Sequence, residues 1–60
     1  MVELTITIKG EDSTYKQKFL VYEEFKFVEN DPVLLGYVKE ALENSKIDPE
    51  DVKIRALLQL

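Results

Sequence analysis

The side chains of this chain that could perform chemistry are carboxylates grouped in short clusters. The clusters are Glu11-Asp12, Glu23-Glu24, Glu29-Asp31 and Asp48-Glu50-Asp51. Paired carboxylates can perform acid–base chemistry on a substrate or, with about six to eight oxygens, bind Ca²⁺. Each cluster falls in a segment of turn residues, where water solvates the carboxylates, and the spacing of a Ca²⁺-binding loop is missing. We therefore interpret the clusters as turn and helix-cap residues and expect no metal site.

Nucleophilic catalysis lacks its usual base in this chain. Because the chain has neither His nor Cys, Ser13 and Ser45 would depend on a Lys or a carboxylate for activation. Both serines lie in segments that indicate a turn or a helix end, where a hydroxyl ordinarily bonds to the backbone. The two glycines, Gly10 and Gly36, cannot form a phosphate-binding loop. The sequence therefore predicts no catalytic residue and no cofactor, and we expect the protein not to be an enzyme.

The length predicts one domain over residues 1–60, with a small core. A composition of 45% hydrophobic and 33% charged residues is typical of a folded chain. Since disulfides cannot form without Cys, self-association is the remaining way to add stability. No apolar run approaches the roughly 20 residues of a membrane span, and Met1 leads directly into a strand pattern. We therefore expect a cytoplasmic protein that does not contact membranes.

Three segments alternate between apolar and polar residues, as strands with one buried face do. The first covers residues 2–9, the second residues 14–22 and the last residues 52–59. A four-residue turn at 10–13 would join the first two as an antiparallel hairpin, because that loop length places their apolar residues on the same face. The sequence therefore predicts a sheet of three strands.

The sequence predicts a helix over about residues 32–44, between the second strand and the last. Asp31 is a good N-cap, Pro32 suits the first helical position, and Asn44-Ser45 ends the pattern. Between these ends, apolar residues recur at helical spacing: Leu34, Leu35, Val38, Ala41 and Leu42. This stripe predicts the side of the helix that covers the sheet.

The predicted fold class is α+β, a two-layer ββαβ sandwich with one helix on one face of a three-stranded sheet. The favoured strand order is 2-1-3, because a right-handed crossover from the second strand places the last strand beside the first. The pattern does not fix whether the last strand is parallel or antiparallel. Phe25 and Phe27 continue the alternation of the second strand beyond a break at Glu23-Glu24. A short extra strand at 25–28 is therefore also open.

The predicted sheet face opposite the helix is basic, although the chain carries a net charge of −4. Alternate residues of a strand share a face, so basic residues from different strands project together with a few apolar ones. Lys26 would join them if the second strand kept its alternation. The residues expected to bind a partner are Lys16, Lys18, Leu20, Tyr22, Lys53, Arg55 and Leu57.

Two binding functions are consistent with this face. In the first, Leu20, Tyr22 and Leu57 form the apolar centre of a protein interface, most simply with a second copy in a homodimer. In the second, the cations bind nucleic-acid phosphates and Tyr22 stacks on a base. A single aromatic residue and an acidic net charge favour the protein partner. The sequence thus predicts a small interaction module that self-associates or binds another protein, with nucleic-acid binding as the alternative.

Overall fold

The structure is a computed structural model that describes residues 1–25 and 28–59. Its main elements, in chain order, are β1 (Val2–Lys9), β2 (Thr14–Val21), α1 (Pro32–Ser45) and β3 (Lys53–Gln59). A short 3₁₀ turn, Pro49–Asp51, precedes β3. The strands form one antiparallel sheet in the order β2-β1-β3, and α1 packs on it chiefly over β1 and β2. The predicted α+β fold and strand order are confirmed, and β3 runs antiparallel to β1.

The hairpin of β1 and β2 has the register that a four-residue turn predicts. Ile8 lies opposite Tyr15, and Leu4 lies opposite Phe19. The even-numbered residues of β1 therefore all face α1. Burying each such side chain contributes about 1.5–3 kcal/mol to folding. The residues of the buried core are Val2, Leu4, Ile6, Ile8, Val21, Leu34 and Ala41.

The ends of α1 follow from local chemistry. One carboxylate oxygen of Asp31 accepts hydrogen bonds from the backbone N–H groups of Val33 (2.9 Å) and Leu34 (3.4 Å). Pro32 occupies the first helical turn, where its missing N–H is not needed. At the other end, Lys46 adopts a left-handed conformation with φ of 58° and stops the helix. The predicted start at Asp31-Pro32 is confirmed.

Two contacts determine which flank of α1 faces β2. The ring of Tyr37 lies 4.7 Å from the ring of Phe19, centroid to centroid. The side-chain amide of Asn44 donates a 3.0 Å hydrogen bond to Gln17. Tyr37 and Asn44 are seven residues apart and therefore lie on the same flank of α1. Residues about 100–160° around the helix axis from Tyr37 lie on the opposite flank. The flank toward β3 therefore carries Leu35, Val38 and Leu42.

The second strand ends one residue earlier than predicted, at Val21. Tyr22 begins a turn in which the N–H of Phe25 donates to the carbonyl of Tyr22 at 2.9 Å. The predicted break at Glu23-Glu24 coincides with this turn. The extra strand predicted at 25–28 depends on Lys26 and Phe27, which lie outside the described residues, as does the predicted position of Lys26.

The helix side of β3 is covered less completely than the alternation predicts. Ile54 lies directly opposite Ile8 on the same face, yet Ile54 is 43% exposed while Ile8 is fully buried. A helix is about 10 Å wide, and neighbouring strands lie about 4.8 Å apart, so one helix covers about two strands. Because α1 lies over β1 and β2, Ile54 stays partly exposed beside the helix.

Gly36 in α1 offers a simple test of the helix surroundings. A Cβ added at Gly36 meets nothing within 4 Å, and Gly costs about 1 kcal/mol relative to Ala within a helix. We expect Gly36→Ala to raise the free energy of unfolding by about 0.5–1 kcal/mol. Urea denaturation followed by circular dichroism measures the change. A lower free energy of unfolding in the variant would show that this side of α1 is not open.

Candidate binding surface

The sheet face opposite α1, called here the outer face, consists of the odd-numbered residues of β1 and their cross-strand neighbours. Its side chains lie in rows that cross the sheet, because each β1 residue has one partner on either side. Read from β2 through β1 to β3, the rows are Leu20-Glu3-Gln59, Lys18-Thr5-Leu57, Lys16-Thr7-Arg55 and Thr14-Lys9-Lys53. All three strands thus contribute to one surface.

The last two rows of the outer face bring together a group of basic residues, called here the cationic cluster. Lys9 lies directly opposite Lys53 on the neighbouring strand, an arrangement of like charges that destabilises a sheet. Among the described residues of this face, the one ion pair joins Lys18 to Glu3, at 3.4 Å between Nζ and Oε1. Positive charge is therefore concentrated here, although Glu11 and Asp51 border Lys9 and Lys53 at the end of the sheet. The cationic cluster consists of Lys9, Lys16, Lys53 and Arg55.

The outer face forms a shallow depression over this cluster. Its volume is about 660 Å³, large enough for a peptide segment or a small ligand. The hydroxyl groups of two threonines add hydrogen-bonding capacity to the charge of the lysines and the arginine. The lining residues are Thr5, Thr7, Lys9, Lys16, Lys53, Ile54, Arg55 and Leu57. Of the residues predicted to bind a partner, the structure brings Lys16, Lys53, Arg55 and Leu57 together here.

Lys9 was not among the residues predicted to bind a partner. Its odd position in the alternating pattern of β1 was the available signal, since that parity places it on the outer face. The antiparallel placement of β3 then sets Lys53 beside it. The candidate surface therefore includes Lys9.

The apolar residues predicted to form the centre of an interface do not meet. Leu20 and Leu57 are both exposed, but they lie on opposite edge strands and in different rows. Glu3 and Thr5 of the central strand separate them, over a distance of two strand spacings, about 10 Å. The outer face therefore has isolated apolar side chains rather than a contiguous patch.

Tyr22 lies away from the cationic cluster. It is exposed beyond the end of β2 and lines a second depression of about 420 Å³ together with Phe25, Val33 and Tyr37. The rings of Phe25 and Tyr37 are 6.0 Å apart, centroid to centroid. The aromatic residue predicted to stack on a base thus belongs to a different surface from the cations predicted to bind phosphates.

The carboxylate clusters and serines that opened the sequence analysis have structural roles where the described contacts reveal them. Asp31 caps α1, and Asp48 accepts a 3.0 Å hydrogen bond from the N–H of Glu50 in the 3₁₀ turn. The hydroxyl of Ser45 donates to the carbonyl of Leu42 at 2.7 Å. Over residues 1–25 and 28–59, no group of three potential metal-ligating side chains occurs. No helix in these two ranges is long and apolar enough to cross a membrane.

The outer face offers positive charge and hydrogen-bonding groups on one surface. It presents cations, threonine hydroxyls and the exposed Leu57 on one concave surface. Such an arrangement suits an anionic partner that makes several weak contacts. Comparison with protein-family models, with curated proteins and with solved structures gives no match for this chain.

Proposed function

We propose that this protein is a small, non-enzymatic interaction module whose outer face binds an acidic segment of another protein. The observation that carries the proposal is the cationic cluster, in which Lys9 and Lys53 oppose each other. A like-charge pair lowers the stability of the sheet, whereas an acidic partner would turn the same charges into favourable contacts. The proposal places the module in the cytoplasm, which the cysteine-free composition favours.

A homodimer through the outer face is less well supported. Two copies stacked face to face about a two-fold axis present the same surface to each other. A two-fold axis that passes through the cationic cluster would bring the two clusters together, and like charges that lose solvent repel strongly. The separation of Leu20 from Leu57 also removes the continuous apolar centre that such a dimer needs. The outer face therefore favours a partner of opposite charge.

Nucleic acid is the weaker candidate partner. The cationic cluster supplies phosphate-binding charge, but Tyr22 lines the other depression and cannot stack beside it. The net charge of −4 also repels a polyanion at long range. A protein segment in which acidic residues are interspersed with uncharged ones carries a lower charge density and is repelled less.

Titration with an acidic peptide tests the proposal. A synthetic peptide of alternating Glu and Ser should shift the backbone NMR signals of the outer face, those of Thr7 and Arg55 most. Because charge carries the interaction, the affinity should fall about tenfold between about 50 mM and 500 mM salt. A single-stranded oligonucleotide of equal charge serves as the second ligand. No binding of the peptide at low salt would overturn the proposal, and clearly tighter oligonucleotide binding would favour the alternative.

A matched pair of charge reversals distinguishes binding at the outer face from a general response of the peptide to the net charge of the protein. Arg55→Glu changes the cationic cluster, whereas Lys39→Glu makes the same change on the exposed side of α1. We expect Arg55→Glu to weaken peptide binding at least about tenfold, and Lys39→Glu to weaken it less than about twofold. Equal weakening by the two variants would show that the peptide responds to the overall charge and not to the outer face.

A further inference from the structure

We propose that a second copy of this chain pairs with the free edge of β3 in antiparallel orientation, giving a continuous six-stranded sheet. Among the described residues, β3 is hydrogen-bonded to a strand on one side only, that of β1. Its pairing with β1 runs without a bulge from Lys53 to Gln59, and it contains no Pro. The outward N–H and C=O groups of such a strand are a template for another strand.

Apolar side chains surround this free edge and are only half covered. Ile54 is 43% exposed on the helix side of β3, and Leu57 is 52% exposed on the outer face. Leu35, on the flank of α1 that faces β3, is 49% exposed. These residues lie beside the free edge, because α1 packs chiefly over β1 and β2 and leaves that side of the sheet partly open. A strand added to β3 would cover apolar surface on both of its faces.

The sequence of β3 is complementary to itself about Ala56. In an antiparallel pair centred there, helix-side residues meet helix-side residues and outer residues meet outer residues. No two like charges then lie opposite each other, and apolar side chains meet on the helix side. Each pair takes one residue from either copy: Lys53 with Gln59, Ile54 with Leu58, Arg55 with Leu57, and Ala56 with Ala56.

Neighbouring registers are worse. Centring the pair on Arg55 places two arginine side chains opposite each other, which is repulsive. Centring it on Leu57 pairs only residues 55–59 of β3 with one another. The register about Ala56 is therefore the one that uses all seven residues of β3 without a charge conflict.

The other edge of the sheet is better protected. Lysines on an edge strand discourage pairing, but the outer faces of both edges carry two cations, Lys16 and Lys18 on β2 and Lys53 and Arg55 on β3. The helix side distinguishes the edges, because Phe19 of β2 is covered by Tyr37 of α1, whereas Ile54 of β3 is 43% exposed. The two-fold axis of a β3 pair would be perpendicular to the sheet, so both outer faces stay open on the same side of the dimer. The dimer does not depend on the proposed binding of an acidic segment and is compatible with it.

Single cysteines test the pairing, because the chain has none of its own. In an antiparallel pair, directly opposed Cα atoms lie about 4.5–5.5 Å apart, within the range that a disulfide spans. Under mild oxidation, Ala56→Cys should form a covalent dimer at least about tenfold faster than Gln59→Cys in the same strand. Non-reducing electrophoresis measures the rates. Equal rates for the two variants, or faster cross-linking of Gln59→Cys, would overturn the proposed register.

Sedimentation of the unmodified chain tests the dimer itself, at concentrations from about 10 to 500 µM. We expect a dimer mass in the upper part of this range. Ile54→Lys should return the chain to a monomer with an unchanged circular dichroism spectrum, whereas the control Leu20→Lys should remain dimeric. A chain that stays monomeric throughout would overturn the dimer but not the effect of Arg55→Glu on peptide binding. If the chain is monomeric and the acidic peptide alone protects the amides of β3 from hydrogen exchange, the free edge of β3 binds the peptide and not a second copy.

Discussion

Replacing Ile8 with alanine is expected to lower the free energy of unfolding by about 3 kcal/mol, about three times the loss from Ile54→Ala. Ile8 is fully buried beneath α1, whereas Ile54, its direct cross-strand partner, is 43% exposed. The two residues share the same type, face and row, so burial is the main difference between them. Truncating a buried Ile removes apolar contacts and leaves a cavity, while an exposed Ile has fewer contacts to lose. Urea denaturation at low protein concentration measures both losses.

The absolute size of this effect matters because the domain is small. A chain of 60 residues is stable by about 3–9 kcal/mol, so Ile8→Ala removes about a third or more of that stability. Equal losses at the two positions would contradict the placement of α1 over β1 and β2. The Ile54→Ala loss should also increase with protein concentration, since the proposed dimer buries Ile54 and unfolding is then coupled to dissociation.

Lys53→Glu is expected to raise the free energy of unfolding by about 0.5 kcal/mol and to weaken binding of the acidic peptide about tenfold. In the native sheet Lys53 lies opposite Lys9, and the substitution replaces a repulsive pair with an attractive one. The same change removes one cation from the cluster and adds an anion that repels the peptide. Urea denaturation and peptide titration of the same preparation measure the two effects.

Lys18→Glu is the matched control for stability. Lys18 forms the ion pair with Glu3 on the same face, so its reversal creates repulsion where Lys53→Glu relieves it. We expect Lys18→Glu to lower the free energy of unfolding by up to about 0.5 kcal/mol, because exposed ion pairs contribute little. Opposite signs for the two variants would support the proposed repulsion between Lys9 and Lys53. A loss of stability in both would contradict the proposed repulsion between Lys9 and Lys53.

Several features of this protein are determined by short stretches of sequence. The alternation of residues 2–9 assigns each side chain of β1 to a face, because successive residues of a strand point in opposite directions. The four-residue turn after it sets the hairpin register, including Ile8 opposite Tyr15. Asp31 and Pro32 mark the start of α1, because the N–H groups of the first turn have no partner within the helix. Asp31 accepts hydrogen bonds from two of them, and Pro32 has no N–H to satisfy. These features depend on neighbours within a few residues and can be predicted from the sequence.

Other features were decided only by the tertiary structure. Alternation indicates which face a side chain occupies but not how far across the sheet it lies. The predicted order 2-1-3 already places β1 between the strands of Leu20 and Leu57. Only the antiparallel register of β3 shows that Leu57 lies in the row of Lys18 and Thr5, and that Lys9 lies beside Lys53. The exposure of Ile54 depends on where a single helix rests, and one helix is too narrow to cover three strands. The candidate binding surface and the open edge of β3 both result from these long-range placements.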